Sequence, residues 1–194
     1  VEPYPNISNP SIKKQFDQWF AKSKLFNMGS DDFFAQYEQL LKAKQLDVVF
    51  VDGLHTYEQA YKDTLNALTH LKDGGFVILH DCLPPHAAAA TAAASIFDAE
   101  NQKPPGWNGE WCGDVWKTIL RLRSQHTDLN VFVLNCDYGL GIVSKGRPET
   151  MLTQDLPTIA AMSYTDLMRD PARLLNLKQP SYLLEFLRQY QTQP

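Results

Sequence analysis

The sequence predicts an α/β fold: a mostly parallel sheet with helices on both faces and an antiparallel hairpin toward the C-terminus. Three observations carry this. Two unbroken apolar runs, LDVVFVDG (46–53) and FVIL (76–79), read as strands buried on both faces. Between them Tyr57, Ala60, Tyr61, Thr64, Leu65, Leu68 and Leu71 trace one face of a helix. Strand, helix, strand is a βαβ unit, and its right-handed crossover makes the two strands parallel. Farther on, NVFVLN (130–135) and GLGIVS (139–144) flank Cys136-Asp137-Tyr138, a spacing suited to an antiparallel hairpin.

The elements follow in order. VEPYPNISN reads as the end of a strand entering a loop, and 10–22 as a helix with Phe16, Trp19 and Phe20 on one side. Leu25 to Met28 is expected to form a short strand. Gly29-Ser30-Asp31 then turns into a helix capped by Ser30 or Asp31, with Phe33, Phe34, Tyr37, Leu40 and Leu41 at helical spacing. Thr56 and Gln59 resemble a capping box for the next helix, and Asp73-Gly74-Gly75 is expected to stop it. Residues 83–110 form a long insert with an alanine-rich patch, expected to hold a short helix and serve as a lid or pocket wall. Gly113-Asp114 opens a helix carrying Val115, Ile119 and Leu122 inward and Lys117, Arg121 and Arg123 outward. A helical tail (147–194) follows, including Tyr182 to Tyr190. With no internal repeat, 1–194 reads as a single domain.

Composition narrows the function classes. The 194 residues, 44% of them hydrophobic, suit one domain with a substantial core. A net charge of -4 and a pI near 5.7 argue against nucleic acid or anionic membranes as partners. No apolar stretch approaches the roughly 18 residues of a membrane span, and no signal-peptide pattern opens the chain. Cys82, Cys112 and Cys136 are too widely spaced for a zinc motif and too few for a disulfide framework. The expectation is a cytoplasmic protein acting on a small molecule, with homo-oligomerisation left open.

Ligands of such sheets sit outside the carboxyl ends of the strands. Both central strands end in chemistry there: Asp52 with His55 close behind, then His80 and Asp81. Two carboxylates make a hard-oxygen set suited to Mg²⁺, Mn²⁺ or Ca²⁺. His80 is either a third ligand or turned away, because neighbouring strand residues face opposite sides. His55, near a helix N-terminus, suits a general base acting on a hydroxyl. The plainer readings are Asp-Gly as turn chemistry and a structural histidine; the coincidence of two such strand ends favours function. His70, His86 and His126 are expected at the surface or in loops. Trp107, Trp111 and Trp116 are either pocket lining or core.

VFVDGLHTYEQAYKDTLNALTHLKDGGFVILHDCLPP (49–85) resembles the central signature of small class I methyltransferases grouped with macrocin-type sugar O-methyltransferases. WCGDVWKTILRLR (111–123), CDYGLGIVSKG (136–146), VEPYP (1–5) and MGSDDFF (28–34) resemble other blocks of that group. The resemblance runs to about residue 145 and implies a Rossmann-like fold using S-adenosylmethionine (SAM). It implies that Glu2 binds the SAM ribose, that Ser30 and Asp31 border the adenine, and that Asp52 stands at the cofactor and the metal. Asp52 and Asp81 match metal-binding acids, His80 matches an acidic position, and His55 matches the catalytic base. Trp111, Gly113 and Asp114 fall in a block whose role the sequence does not disclose.

Two departures accompany the resemblance. The first strand and its glycine-rich SAM turn are expected before Val1 and are missing from the sequence, and no G-x-G-x-x-G run replaces that turn; either the numbering starts inside a longer protein or the SAM site is incomplete. Cys82 follows Asp81 where relatives often carry a second acid or an asparagine, and a thiol is a poor magnesium ligand. The expected function is SAM-dependent O-methylation of a small hydroxylated molecule, of sugar or natural-product type, assisted by Mg²⁺ or another divalent cation. The alternatives are a non-catalytic SAM-binding or interaction module and a metal-dependent hydrolase.

Overall fold

The computed structural model describes residues 24–191. The readings for Glu2, Phe16, Trp19 and Phe20 lie outside the described residues. The chain divides into two compact units between Gln45 and Leu46.

In the first unit, residues 24–28 are irregular, not the strand expected over Leu25 to Met28. Phe26 packs instead edge-to-face on Phe33 at 4.8 Å and on Tyr37 at 4.6 Å. Two short helices follow, α1 (Ser30–Gln36) and α2 (Glu38–Lys44), broken at Tyr37 (φ -106°, ψ 14°). Gly29 occupies the N-cap of α1, so neither Ser30 nor Asp31 caps it. Both lie inside the first turn, where the acids Asp31 and Asp32 complement the positive end of the helix.

In the second unit, β1 (Leu46–Val51) leads through a turn to α3 (Tyr57–His70), and β2 (Leu71–Leu79) follows without a loop. The helix ends before Asp73-Gly74-Gly75, which belong to β2. Gly74 takes a positive φ of 79°, and the β1–β2 register slips between Leu46 and Val48. The glycines therefore make a strand irregularity, not a helix stop. Next come α4 (Ile96–Gln102) in the insert, α5 (Trp116–Gln125), and the hairpin of β3 (Leu129–Leu134) and β4 (Leu140–Lys145). The tail holds α6 (Leu156–Ala161), α7 (Tyr164–Arg169), α8 (Pro171–Leu175), β5 (Leu177–Lys178) and α9 (Tyr182–Gln191).

The sheet order is β1-β2-β4-β3-β5. β1 is parallel to β2 and β5 to β3, while β4 is antiparallel to both β2 and β3. Only β4 therefore runs against the rest, so the expected mostly parallel α/β sheet with its antiparallel hairpin is present. Helices cover both faces. Val77 and Leu79 are fully buried on the side of α3, along with Ile119 and Leu122 of α5. On the other face Phe132, Leu134, Ile142 and Phe186 of α9 form a cluster against Phe76 and Ile78.

Burial corrects several expectations. β1 is not buried on both faces: Val48 is 54% and Phe50 55% exposed, while Val49 and Val51 are half-buried. Val49 and Val51 pair with Val77 and Leu79 and so share the α3 side. Val48 and Phe50 lie on the opposite face, where the α9 cluster packs on β2, β3 and β4. Lys117 and Arg123 are buried, not outward. Lys117 Nζ donates to the Ala160 carbonyl, and Arg123 donates to the carbonyls of Arg173 and Leu174 and to Thr150 Oγ1. Long basic side chains satisfy tail carbonyls there, a role that helical periodicity does not announce. His70, placed at the surface by sequence, is buried. No described helix is long and apolar enough to cross a membrane.

Candidate functional site

The two parallel strands β1 and β2 deliver the site. Asp52 follows β1 directly and His55 sits in the turn before α3; His80 and Asp81 follow β2, with the His80 N–H on the Val51 carbonyl at 3.0 Å. Asp81 has φ 62°, a left-handed conformation uncommon for a non-glycine residue. That turn decides the question left open by strand alternation: His80 Nδ1 lies 3.1 Å from Asp81 Oδ2, so both side chains reach the same point. The hairpin loop braces it. Cys82 and Leu83 N–H groups donate to the carbonyls of Gly139 and Tyr138, at 3.0 and 2.6 Å. A Cβ on Gly139 would stand 2.4 Å from the Leu83 nitrogen, so that approach requires glycine.

Four sequence-predicted residues converge. His55 Nε2 is 3.4 Å from Asp52 Oδ1 and 3.2 Å from Asp81 Oδ2; His80 Nδ1 is 3.5 Å from Asp52 Oδ1. On its far side His80 Nε2 lies 3.6 Å from Asp137 Oδ2. Asp52, His55, His80 and Asp81 line an open cleft of about 330 Å³ together with Glu110, Trp111, Cys112 and Tyr138. Asp81 is only 4% exposed, and its Oδ2 has no hydrogen bond. Two imidazole nitrogens nevertheless stand near that oxygen, so neither N–H points at it.

Electrostatics follow from these contacts. The hydrogen bond from His55 outweighs burial and, with the His80 charge, holds the Asp52 carboxyl below its ordinary range. Burial opposes the charged form of His55. The Asp52 hydrogen bond, the Asp81 charge and the Trp111 carbonyl together overcome it and raise the imidazole pKa. Desolvation pushes the Cys82 and Cys112 thiols far up, so both remain protonated and unreactive.

The segment 111–114 explains how His55 is held. The carbonyl of Trp111 accepts from His55 Nδ1 at 2.6 Å, which puts the proton on Nδ1 and leaves Nε2 facing the carboxylates. The Trp111 and His55 rings stack at 5.2 Å. Gly113, at φ 60°, brings its backbone so close that an added Cβ would lie 1.8 Å from the His55 carbonyl oxygen. Asp114 Oδ1 accepts from the Tyr57 N–H at 2.7 Å. That bond caps α3 from outside, whereas the Thr56–Gln59 capping box does not form: Thr56 makes no side-chain cap, and Gln59 donates to Asp63.

Sequence reasoning did not identify Glu110, Cys112, Asp137 or Tyr138. They come from the insert and the hairpin loop, distant in the chain. The left-handed run at Asp137, Tyr138 and Gly139 is the one local signal, through the Asp and Gly that such turns favour. Glu110 accepts from Tyr138 OH at 2.7 Å and from His86 Nε2 at 3.1 Å, so the insert is tied to the hairpin loop at the cleft wall. Of the tryptophans, Trp111 lines the cleft and Trp116 is core. Ser30 and Asp31 begin α1 in the first unit.

Residues 1–82 match a family model described as a methyltransferase domain. That stretch is similar to a class I methyltransferase family. The match takes in β1, α3 and β2 and ends at Cys82, so it includes Asp52, His55, His80 and Asp81 of the cleft. No curated protein matches the chain. The α/β sheet is consistent with the fold of that family. A methyltransferase family implies SAM as methyl donor. A cation also fits: Asp52, His80 and Asp81 each offer a ligand atom, all within 4.8 Å of one another. The buried Oδ2 of Asp81, which accepts no hydrogen bond, is the observation that favours it, because a buried carboxylate oxygen without one is costly.

Proposed function

We propose that this protein transfers the SAM methyl group to a hydroxyl oxygen of a small, hydroxylated acceptor of sugar or natural-product type, with a divalent cation at Asp52, His80 and Asp81. The observation that carries the reading is the convergence of His55 Nε2 with the Asp52 and Asp81 carboxylates at the carboxyl end of two parallel strands, 3.2 to 3.4 Å apart. The match to a methyltransferase domain over that stretch supports it.

His55 is the base in this scheme. Its Nδ1 proton is held by the Trp111 carbonyl, so in the neutral ring Nε2 carries the lone pair. Nε2 would take the proton of the acceptor hydroxyl as that oxygen's electron pair bonds the methyl carbon and the methyl–sulfur bond of SAM breaks, its electron pair going to the sulfur of the departing S-adenosylhomocysteine. Asp52 and Asp81 stabilise the imidazolium that results. The cation, when bound, lowers the pKa of the acceptor hydroxyl and orients it. Trp111 and Tyr138 offer apolar surface to the acceptor beside those polar groups. Glu2, Ser30 and Asp31 are proposed to contact SAM on the resemblance alone.

The test is a calorimetric titration with SAM, followed by turnover on hydroxylated acceptors. One-to-one binding is expected, and His55→Ala should leave SAM affinity within about twofold while cutting turnover by about 10²-fold or more. A folded protein that binds no SAM points to the non-catalytic alternative, and a large loss of SAM affinity in His55→Ala contradicts the base assignment.

A further inference from the structure

We propose that the cleft of this protein selects a borderline transition-metal dication, of the Zn²⁺ or Co²⁺ type, over Mg²⁺ and Ca²⁺, with His80 as the selecting ligand and Asp137 as its positioning residue. The inference rests on the metal-assisted reading above and deepens it.

The spacing of the cluster is that of ligands around one ion. Two atoms each about 2.1 Å from a shared metal, at octahedral to tetrahedral angles, stand roughly 3.0 to 3.4 Å apart. His80 Nδ1 is 3.1 Å from Asp81 Oδ2 and 3.5 Å from Asp52 Oδ1. No hydrogen bond accounts for the first approach, since Asp81 Oδ2 is buried without one. A cation seated between Asp81 Oδ2 and His80 Nδ1 would satisfy the buried oxygen that no hydrogen bond serves.

His80 is also built as metal-binding histidines are built. Such a ring usually directs its other nitrogen at a carboxylate or carbonyl, which fixes the tautomer and the ring orientation. Asp137 supplies this, at ion-pair distance (3.6 Å) from His80 Nε2. Its own backbone is held left-handed at φ 46° in the tight hairpin loop. With Asp137 on the Nε2 side, Nδ1 is the nitrogen presented to the cluster.

Donor chemistry then sets the preference. Mg²⁺ and Ca²⁺ take oxygen ligands, whereas an imidazole nitrogen suits zinc, cobalt, nickel and iron. Of the other lining residues, Glu110 and Tyr138 carry oxygens but are bonded to each other at 2.7 Å, with His86 Nε2 also 3.1 Å from Glu110, and Trp111 and Cys112 offer no side-chain oxygen. An acid at position 80 would complete an all-oxygen set; a histidine removes it.

The experiment titrates the metal-free protein with Zn²⁺, Co²⁺ or Mg²⁺ alone, by calorimetry, with no SAM or acceptor present. One Zn²⁺ or Co²⁺ per chain is expected, bound more than about 100-fold tighter than Mg²⁺. His80→Asp should narrow that gap by about tenfold or more, and Asp137→Asn should weaken Zn²⁺ by about tenfold while leaving Mg²⁺ unchanged. Equal affinity for Mg²⁺ and Zn²⁺, or a preference unmoved by His80→Asp, overturns the proposal. Should His80→Asp not fold, X-ray absorption of the Zn²⁺-loaded wild type decides: imidazole scattering supports the inference and an all-oxygen shell refutes it. Zn²⁺ selectivity without SAM binding would sink the methyl-transfer reading alone; SAM binding with Mg²⁺ preference would sink this inference alone.

Discussion

His55 is oriented by a residue 56 positions away, and the quality of that hold depends on a missing side chain. The carbonyl of Trp111 reaches His55 Nδ1 only because the backbone at Gly113 passes against the His55 carbonyl, where a Cβ would stand at 1.8 Å. Gly113 also sits at φ 60°, which costs an L-residue about 1 kcal/mol before any clash. Gly113→Ala is therefore expected to destabilise the fold by about 2 to 4 kcal/mol, read as a lower denaturation midpoint. It should also move the His55 ring, seen as a changed imidazole nitrogen resonance. A variant with wild-type stability and an unchanged imidazole signal would mean that the 111–114 segment is not the clamp.

At the scale of the element, the N-terminus of α3 is the instructive case. A helix start leaves its first N–H groups without internal partners, and Thr56 and Gln59 have the residue types of a capping box. The bond to the Tyr57 N–H comes instead from Asp114, across the fold, with Lys117 Nζ 3.5 Å from the same carboxylate. Thr118 Oγ1 donates to the Tyr57 carbonyl, so α3 and α5 are joined at this corner by two hydrogen bonds. Asp114→Ala should cost about 1 to 2 kcal/mol in thermal or denaturant unfolding, the usual worth of an N-cap. Thr56→Ala, by contrast, should change stability by less than about 0.5 kcal/mol, because its side chain makes no cap bond.

Across the second unit, polar ties bind the tail to the sheet. Arg123 carries its guanidinium into the interior, where desolvation lowers its pKa to about 10, and it holds the carbonyls at the end of α8. Beside it, Glu149 accepts from Lys178 of β5 at 3.0 Å and from Asn176 at 3.2 Å. The Lys178 hydrogen bond chiefly holds the Glu149 carboxyl below its ordinary 4.5, against some desolvation. A carboxyl depressed in the folded state binds its proton less readily than in the unfolded chain. Its contribution is thus complete above pH 4.5 and disappears as pH falls through the lowered folded value. Glu149→Gln should lower the unfolding midpoint at neutral pH, with the difference from wild type shrinking in acid. A difference constant from pH 7 to pH 3 would show that the ion pair contributes nothing to stability.

Short-range pattern in the sequence determined the strands at 46–51 and 76–79, the helix between them, the hairpin, and the placing of Asp52, His55, His80 and Asp81 at strand ends. Each of those depends on the period of apolar residues and on neighbours within a turn or two, which a linear reading can weigh. Tertiary structure alone settled which faces are covered. It left Val48 and Phe50 exposed on an apolar strand and drew Lys117 and Arg123 inward to carbonyls of the tail. It also supplied Trp111, Asp114 and Asp137, whose partners are 20 to 57 residues away in the chain. The physical reason is the same throughout. An apolar run records that a residue seeks burial, but a hydrogen-bond partner or a covering helix arrives from elsewhere in the chain and leaves no periodic trace.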